Sequence, residues 1–209
     1  KTFSVICDTL EKLGYKTKYK VMNAMEYANI PQNRERIFIV CFDPAQVSNY
    51  AQFTFPEKVE LSRKTTDCLD YSVDDASLFY TDKFPHINEL RRDMKSKETI
   101  YQWRRQYVRE NKSNLVPTLT ANMGTGGHNV PIILTDDGRY RKITPRECFN
   151  VDKGIRKLTP KECLNFQGYP EEYSFPSTIA NSAKYKQAGN SVVVPLITKV
   201  CQQIISVLF

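Results

Sequence analysis

The sequence predicts an α/β protein: the terminal part of a twisted sheet, carrying a smaller, mostly irregular and β lobe. Two observations predict it. The first fifty residues alternate one helical period with two strand-length apolar runs, and the long middle of the 209-residue chain holds no long helical period. Over residues 2–13, Phe3, Ile6, Leu10 and Leu13 form one helical stripe, and Gly14 stands where a helix ends. Residues 15–23 and 36–42 then read as strands, joined through Ile30-Pro31-Gln32. From 52 to 140 the apolar pieces shorten and polar residues rise, the profile of a separate lobe whose loops do the work. Near the C-terminus, Val194, Ile197, Cys201, Ile204 and Leu208 make an amphipathic helical stripe.

A 41% hydrophobic content supports a real core, and no apolar run is read as approaching membrane-spanning length. The six cysteines are scattered without a Cys-x-x-Cys pair, so neither a metal site nor a disulfide framework is expected, and small buried thiols are the natural reading. A net charge of +7 and a pI near 9.0 point to a polyanionic partner. The chain opens on Lys1 with no signal peptide, as a piece of a longer protein would.

Four segments carry chemistry. In Gln32-x-Arg34-x-Arg36, the two arginines point the same way at the mouth of an apolar strand, where a cationic pair needs an anionic or polar partner. Residues 83–112 hold nine Lys/Arg against four Asp/Glu, with Tyr101, Trp103 and Tyr107 among them. That mixture suits phosphates and sugars, so Arg104, Arg105, Arg109 and Lys112 are candidate phosphate ligands. Trp103 reads slightly better as core. Next, Thr118-Leu119-Thr120-Ala121-Asn122 leads into a glycine-rich run, Gly124, Thr125, Gly126, Gly127 and His128. Short polar side chains on a backbone free to approach closely suit base edges, making Thr118, Thr120, Asn122 and residues 124–128 candidate base contacts. The run lacks the lysine of a phosphate-binding loop and the spacing of a dinucleotide fingerprint. Finally, Gly189-Asn190-Ser191-Val192-Val193 reads as a polar turn feeding a helix N-terminus.

A tandem repeat separates the last two segments. Arg141-Lys142-Ile143-Thr144-Pro145-Arg146-Glu147-Cys148 recurs fifteen residues later as Arg156-Lys157-Leu158-Thr159-Pro160-Lys161-Glu162-Cys163. Thr before Pro is a helix-start signature in each copy. Only the second is followed by Phe166-Gln167-Gly168-Tyr169-Pro170, and it is taken as the genuine element.

Taken in order, these segments resemble the C-terminal half of a bacterial-type DNA cytosine 5-methyltransferase. Gln32-x-Arg34-x-Arg36 is similar to that family's motif VIII, the second repeat copy with Phe166-Gln167-Gly168 to motif IX, and Gly189-Asn190-Ser191 to motif X. The resemblance implies the end of an S-adenosylmethionine-dependent, Rossmann-like catalytic domain at 1–51, a target recognition domain at 52–155, and motifs IX and X returning to the catalytic domain at 156–209. It implies transfer of methyl from S-adenosylmethionine to C5 of a cytosine flipped out of double-stranded DNA, within a restriction-modification system. Arg36 would sit near the cytosine O2 and a catalytic carboxylate, with Arg34 nearby or on phosphate and Gln32 steadying the region. Asn190, Ser191 and Val192 would border the cofactor, and no metal is implied. A bacterial cytoplasmic, nucleoid-associated location follows.

The family's Pro-Cys nucleophile, Glu-Asn-Val and Phe-x-Gly-x-Gly are not found in this sequence. None of the six cysteines is assigned as nucleophile. The chain is therefore expected to be inactive without an N-terminal portion, whether a separate subunit or part of the same longer chain. A non-catalytic DNA-binding relative and an RNA-directed cytosine methyltransferase are the alternatives.

Overall fold

A computed structural model describes residues 2–73, 75–111, 113–123, 129–135 and 154–209. Helix α1 (Thr2–Lys12) ends as its sequence demands, with Gly14 at φ 91° closing the C-terminus. It leads into β1 (Lys16–Asn23), which pairs antiparallel with β3 (Glu35–Phe42) in the register Val21↔Ile37 and Lys18↔Val40. Asn23 caps the short helix α2 (Ala24–Tyr27), after which the two-residue strand β2 (Gln32–Asn33) begins the run into β3.

Side chains alternate across this pair, and the two faces meet different fates. One presents Met22, Val40 and Phe42 to a core shared with Phe53 and with Leu196, Val200 and Val207 of the C-terminal helix α6 (Val194–Leu208). The other leaves Tyr19, Val21 and Ile37 exposed at 57%, 58% and 45%, covered in part by α1 through an edge contact of Phe3 on Tyr19. The segment 36–42 is thus a half-covered strand, not the buried one its composition suggests. Ile6 and Leu13 of the expected α1 stripe are exposed as well: among the described residues nothing covers them.

The C-terminal helix forms where predicted, but the predicted stripe is not its core face. Cys201 and Leu208 are exposed, while Leu196, Val200 and Val207 point inward. The apolar side of this helix spans about half its circumference, and periodicity does not say which part of that arc the core covers. The stretch Asn181–Leu208, made of α5 (Asn181–Asn190) and α6, is also long and apolar enough to cross a membrane by length and composition, contrary to expectation. It bends at Ser191–Val193, however, and α6 alone, at fifteen residues, spans only about 22 Å. Its inner face is part of the core.

The middle of the chain folds around an antiparallel sheet in the order β5-β4-β7-β8: Val108–Glu110, Tyr101–Trp103, Pro131–Leu134 and Ile155–Lys157. Strand β7 is buried on both faces. Ile132 and Leu134 pack with Ile87, Leu90 and Met94, the first two from helix α3 (Ile87–Asp93), while Ile133 turns to a second core with Val116, Leu158, Leu164 and Phe166. The expected boundary at 155/156 falls inside β8. The short strand β6 (Val116–Pro117) leaves the lobe and pairs parallel with β2, in the register Gln32↔Val116.

The second repeat copy builds β8 and helix α4 (Pro160–Asn165), capped by Thr159 with a reciprocal Thr159–Glu162 capping box. Arg156, fully buried, forks onto Glu162 with two hydrogen bonds of 2.8 Å and donates to the Asp70 carbonyl at 2.7 Å. Glu162 in turn accepts from the backbone N–H groups of Asp70 and Thr159. The pair is tolerable in the interior because its donors and acceptors are matched. The first copy lies outside the described residues.

Removing one partner would strand a buried charge, so Glu162→Ala is expected to cost about 3–5 kcal/mol of stability. Chemical denaturation measured beside a surface control such as Glu57→Ala, expected near zero, checks this.

Candidate functional site

Arg34 lies between β2 and β3 and is 6% exposed. Its backbone N–H is held by the Asn23 side chain at 3.0 Å. Its Nη1 donates to the Leu119 carbonyl at 2.9 Å, and its Nη2 to the carbonyls of Ser191 at 2.9 Å and Gly189 at 3.3 Å. Burial first, and the Arg36 charge second, lower its pKa to about 10, so the guanidinium stays charged at neutral pH. Gln32 is likewise buried and structural: Nε2 donates to the Phe166 carbonyl at 2.6 Å, and Oε1 accepts from the Leu119 N–H at 3.3 Å.

Arg36 is exposed and donates to its neighbour's carbonyl, Glu35, at 2.6 Å. As the strand geometry predicts, both arginines line one cleft of about 260 Å³. Its other walls are Ile37, Phe38 and Leu196, with Asn190, Ser191, Val192 and Val193 opposite. The Gly189-Asn190-Ser191 turn differs from expectation. Gly189 and Asn190 are the last residues of helix α5 (Asn181–Asn190) and Ser191 is its C-cap, so helix C-terminal carbonyls face the site in addition to the N-terminus of α6, which begins at Val194. Those carbonyls are what attract the Arg34 guanidinium. Gly189 is required by close approach: a Cβ there would come within 2.5 Å of the Ala121 nitrogen.

The Thr118–Asn122 segment therefore abuts the cleft. Thr118 donates through its hydroxyl to the Asn33 carbonyl at 2.7 Å, and Thr120 to the Asn122 side chain at 2.7 Å. Lys112, Gly124, Thr125, Gly126, Gly127 and His128 lie outside the described residues. Of the basic candidates, Arg105 and Arg109 are exposed on the β4–β5 hairpin, Arg105 at a left-handed φ of 70°. Arg104 is half-buried and donates to Asn129 at 3.1 Å, tying the hairpin tip to the end of the glycine-rich run. Trp103 stacks on His86 with centroids 4.4 Å apart and packs edge-on to Phe84, in line with its reading as a packing residue.

Sequence reasoning missed Gln106, which shares the exposed hairpin tip with Tyr107, and the Arg156–Glu162 pair. A signal for the pair was present: both repeat copies keep Arg six residues before Glu. Among the described residues no group of three or more His, Cys, Asp or Glu is placed to hold a metal.

The family model for C-5 cytosine-specific DNA methylase matches residues 1–206. The chain belongs to this family. It is 50% identical to the type II methyltransferase M.Bsp6I of Bacillus sp. (strain RFL6), over 97% of this chain and 59% of that protein. It is 33% identical to M.SsoII of Shigella sonnei, over 100% and 49% respectively. The chain thus spans about half to three-fifths of the length of these curated relatives. Among solved structures it resembles the Entamoeba histolytica methyltransferase EhMeth (TM-score 0.66, 16% identity, 99% of this chain and 58% of that one). It also resembles S. pombe Dnmt2 (TM-score 0.60, 19% identity, 100% and 62%). The fold is part of an α/β methyltransferase.

The family's chemistry makes cysteine reactivity informative. Cys68 and Cys163 are fully buried, and desolvation raises both thiol pKa values, that of Cys68 to about 11. Cys201 is exposed, contrary to the core reading given to every cysteine, and Cys7 and Cys41 are half-buried; Cys148 lies outside the described residues. A thiolate-specific reagent at pH 8 is expected to modify Cys201 first and to reach Cys68 and Cys163 only on unfolding, as peptide mass mapping would show.

Proposed function

We propose that this chain is the recognition and closing portion of a DNA cytosine-5 methyltransferase of a restriction-modification system. The observation that carries the reading is a convergence. Arg34 and Arg36 on one side and residues 190–192 on the other are far apart in sequence yet line one cleft, and Arg34 ties the 118–122 segment to it through the Leu119 carbonyl, in a chain of the cytosine-specific family.

On this reading the domains divide at about 51 and 155, the middle lobe reads duplex DNA, and a cytosine is flipped into the cleft. Arg36, with guanidinium donors reaching the cleft, hydrogen-bonds the cytosine O2 and steadies negative charge there. Gln32 and Arg34 hold the wall that Arg36 stands on. Asn190, Ser191 and Val192 offer a rim of two polar and one apolar side chain. The apolar Phe38, Val193 and Leu196 behind them suit a nucleoside cofactor's border, while about 260 Å³ is small for a whole ligand pocket. The residues thus fit one wall of an S-adenosylmethionine site. When bound, that cofactor supplies the methyl group. The sequence lacks the family's Pro-Cys and Glu-Asn-Val, so the nucleophile and the carboxylate come from an N-terminal portion. Exposed Ile6, Leu13, Tyr19, Val21 and Ile37 form the apolar surface that this portion covers.

The test is methyl transfer from labelled S-adenosylmethionine to unmethylated bacterial DNA, by this chain alone and with an N-terminal half bearing Pro-Cys and Glu-Asn-Val. Label in 5-methylcytosine only for the combined protein is the expected result; label with this chain alone, or none in either, contradicts the reading. For the lobe, Arg105→Ala and Arg109→Ala are each expected to lower the slope of log affinity against log salt by about 0.9 if each loses one phosphate contact. A titration of duplex binding between 50 and 200 mM salt, roughly the range over which such contacts tell, measures it.

A further inference from the structure

We propose that Arg34 is a positioning residue that couples the DNA-reading segment to the cofactor rim, by holding the Leu119 carbonyl and the Gly189 and Ser191 carbonyls on one guanidinium. The inference rests on the functional reading above for those two segments, and adds the link between them.

Three observations carry it. First, the Arg34 bonds run to both sides: Nη1 to Leu119 at 2.9 Å, Nη2 to Ser191 at 2.9 Å and Gly189 at 3.3 Å. Among the described residues no carboxylate pairs with this buried cation, so carbonyls alone hold it. A guanidinium is planar and rigid, and moving the carbonyl on one arm strains the bonds on the other. Second, the opposite side of the same junction has no slack, because the Thr120–Ala121 backbone rests directly on Gly189, leaving no room for a Cβ. Third, the segment is fixed to the same base from which Arg34 projects. Thr118 donates to the Asn33 carbonyl, Gln32 accepts from the Leu119 N–H, and β6 pairs with β2.

The 118–121 segment and the 189–191 turn therefore move as one piece. A ligand that orders Ser191 and its neighbours restrains Leu119 and Thr120 through the clasp, and DNA bound by 118–122 restrains the cofactor rim in return. With Nη1 and Nη2 both engaged, Arg34 acts through these carbonyls and not on phosphate. Lysine, a point charge on a flexible stem, cannot span both arms.

The experiment measures the Kd of the complete methyltransferase for a duplex carrying the site it methylates, mapped from its product, with and without S-adenosylhomocysteine. A scrambled duplex is the reference. In the unsubstituted protein the cofactor product is expected to tighten specific binding by about tenfold, within the usual range of coupling between sites. Arg34→Lys is expected to bring that ratio close to one. Tyr185→Phe, which loses the 2.6 Å bond to the Leu158 carbonyl away from the clasp, is expected to lower Tm and keep the ratio. Should Arg34→Lys not fold, Thr118→Val decides: it removes one strut of the junction, and the ratio cancels any direct effect on DNA affinity. A folded variant at Arg34, or failing that at Thr118, with the ratio intact overturns the proposal. So does an equal loss in Tyr185→Phe, or no coupling in the unsubstituted protein. A protein that neither methylates nor binds DNA instead defeats the functional reading, and this inference falls with it.

Discussion

A buried guanidinium without a carboxylate is costly unless enough fixed dipoles face it. Arg34 meets this requirement with three carbonyls drawn from two segments distant in sequence, one of them the C-terminal end of α5, where unpaired carbonyls and the helix dipole are both negative. The arrangement fixes where the motif strand, the segment after β6 and the last turn of α5 stand relative to one another. The cleft exists because those three elements are held in that relation. Arg36, two residues on, is left facing into it.

A second lock secures the other end of the same scaffold. Arg156 and Glu162 close the loop from β8 to α4 and reach across to the backbone of Asp70, so the lobe's early segment and motif IX form one interior. The two locks differ in kind. The ion pair is self-contained, each charge answered by the other and by backbone groups. Among the described residues Arg34 is answered only by carbonyls, and it borders an open cleft, which is why the proposed coupling runs through it and not through Arg156.

The apolar surface tells of a scaffold read from one side. One face of the β1–β3 pair is sealed by α6, whereas the other, with α1, exposes Tyr19, Val21, Ile37, Ile6 and Leu13. Under the proposed function this side meets the remainder of the methyltransferase. The same circumstance explains two departures from the sequence-based picture. Periodicity identifies an apolar face but not what covers it, and the broad apolar side of α6 is covered along only one of its edges.

Local rules were enough for much of the fold. Gly14 ends α1, Thr159-Pro160 starts α4, alternation sets β1 and β3, and the ordered motifs around Arg34, Arg156 and Asn190 reveal the family, because each depends on neighbours within a turn or a strand. Alternation also placed Arg34 and Arg36 on one side. What Arg34 does there was decided by residues 85 to 157 positions away, which no local pattern encodes. The helical state of residues 181–190 was not legible either, since that segment has few apolar residues and is stabilised by packing of Tyr185 and Ala188. Only the tertiary structure turned Gly189 from an apparent turn residue into a contact surface for Thr120 and Ala121. Close backbone approach is a property of two segments together, and a sequence displays them one at a time.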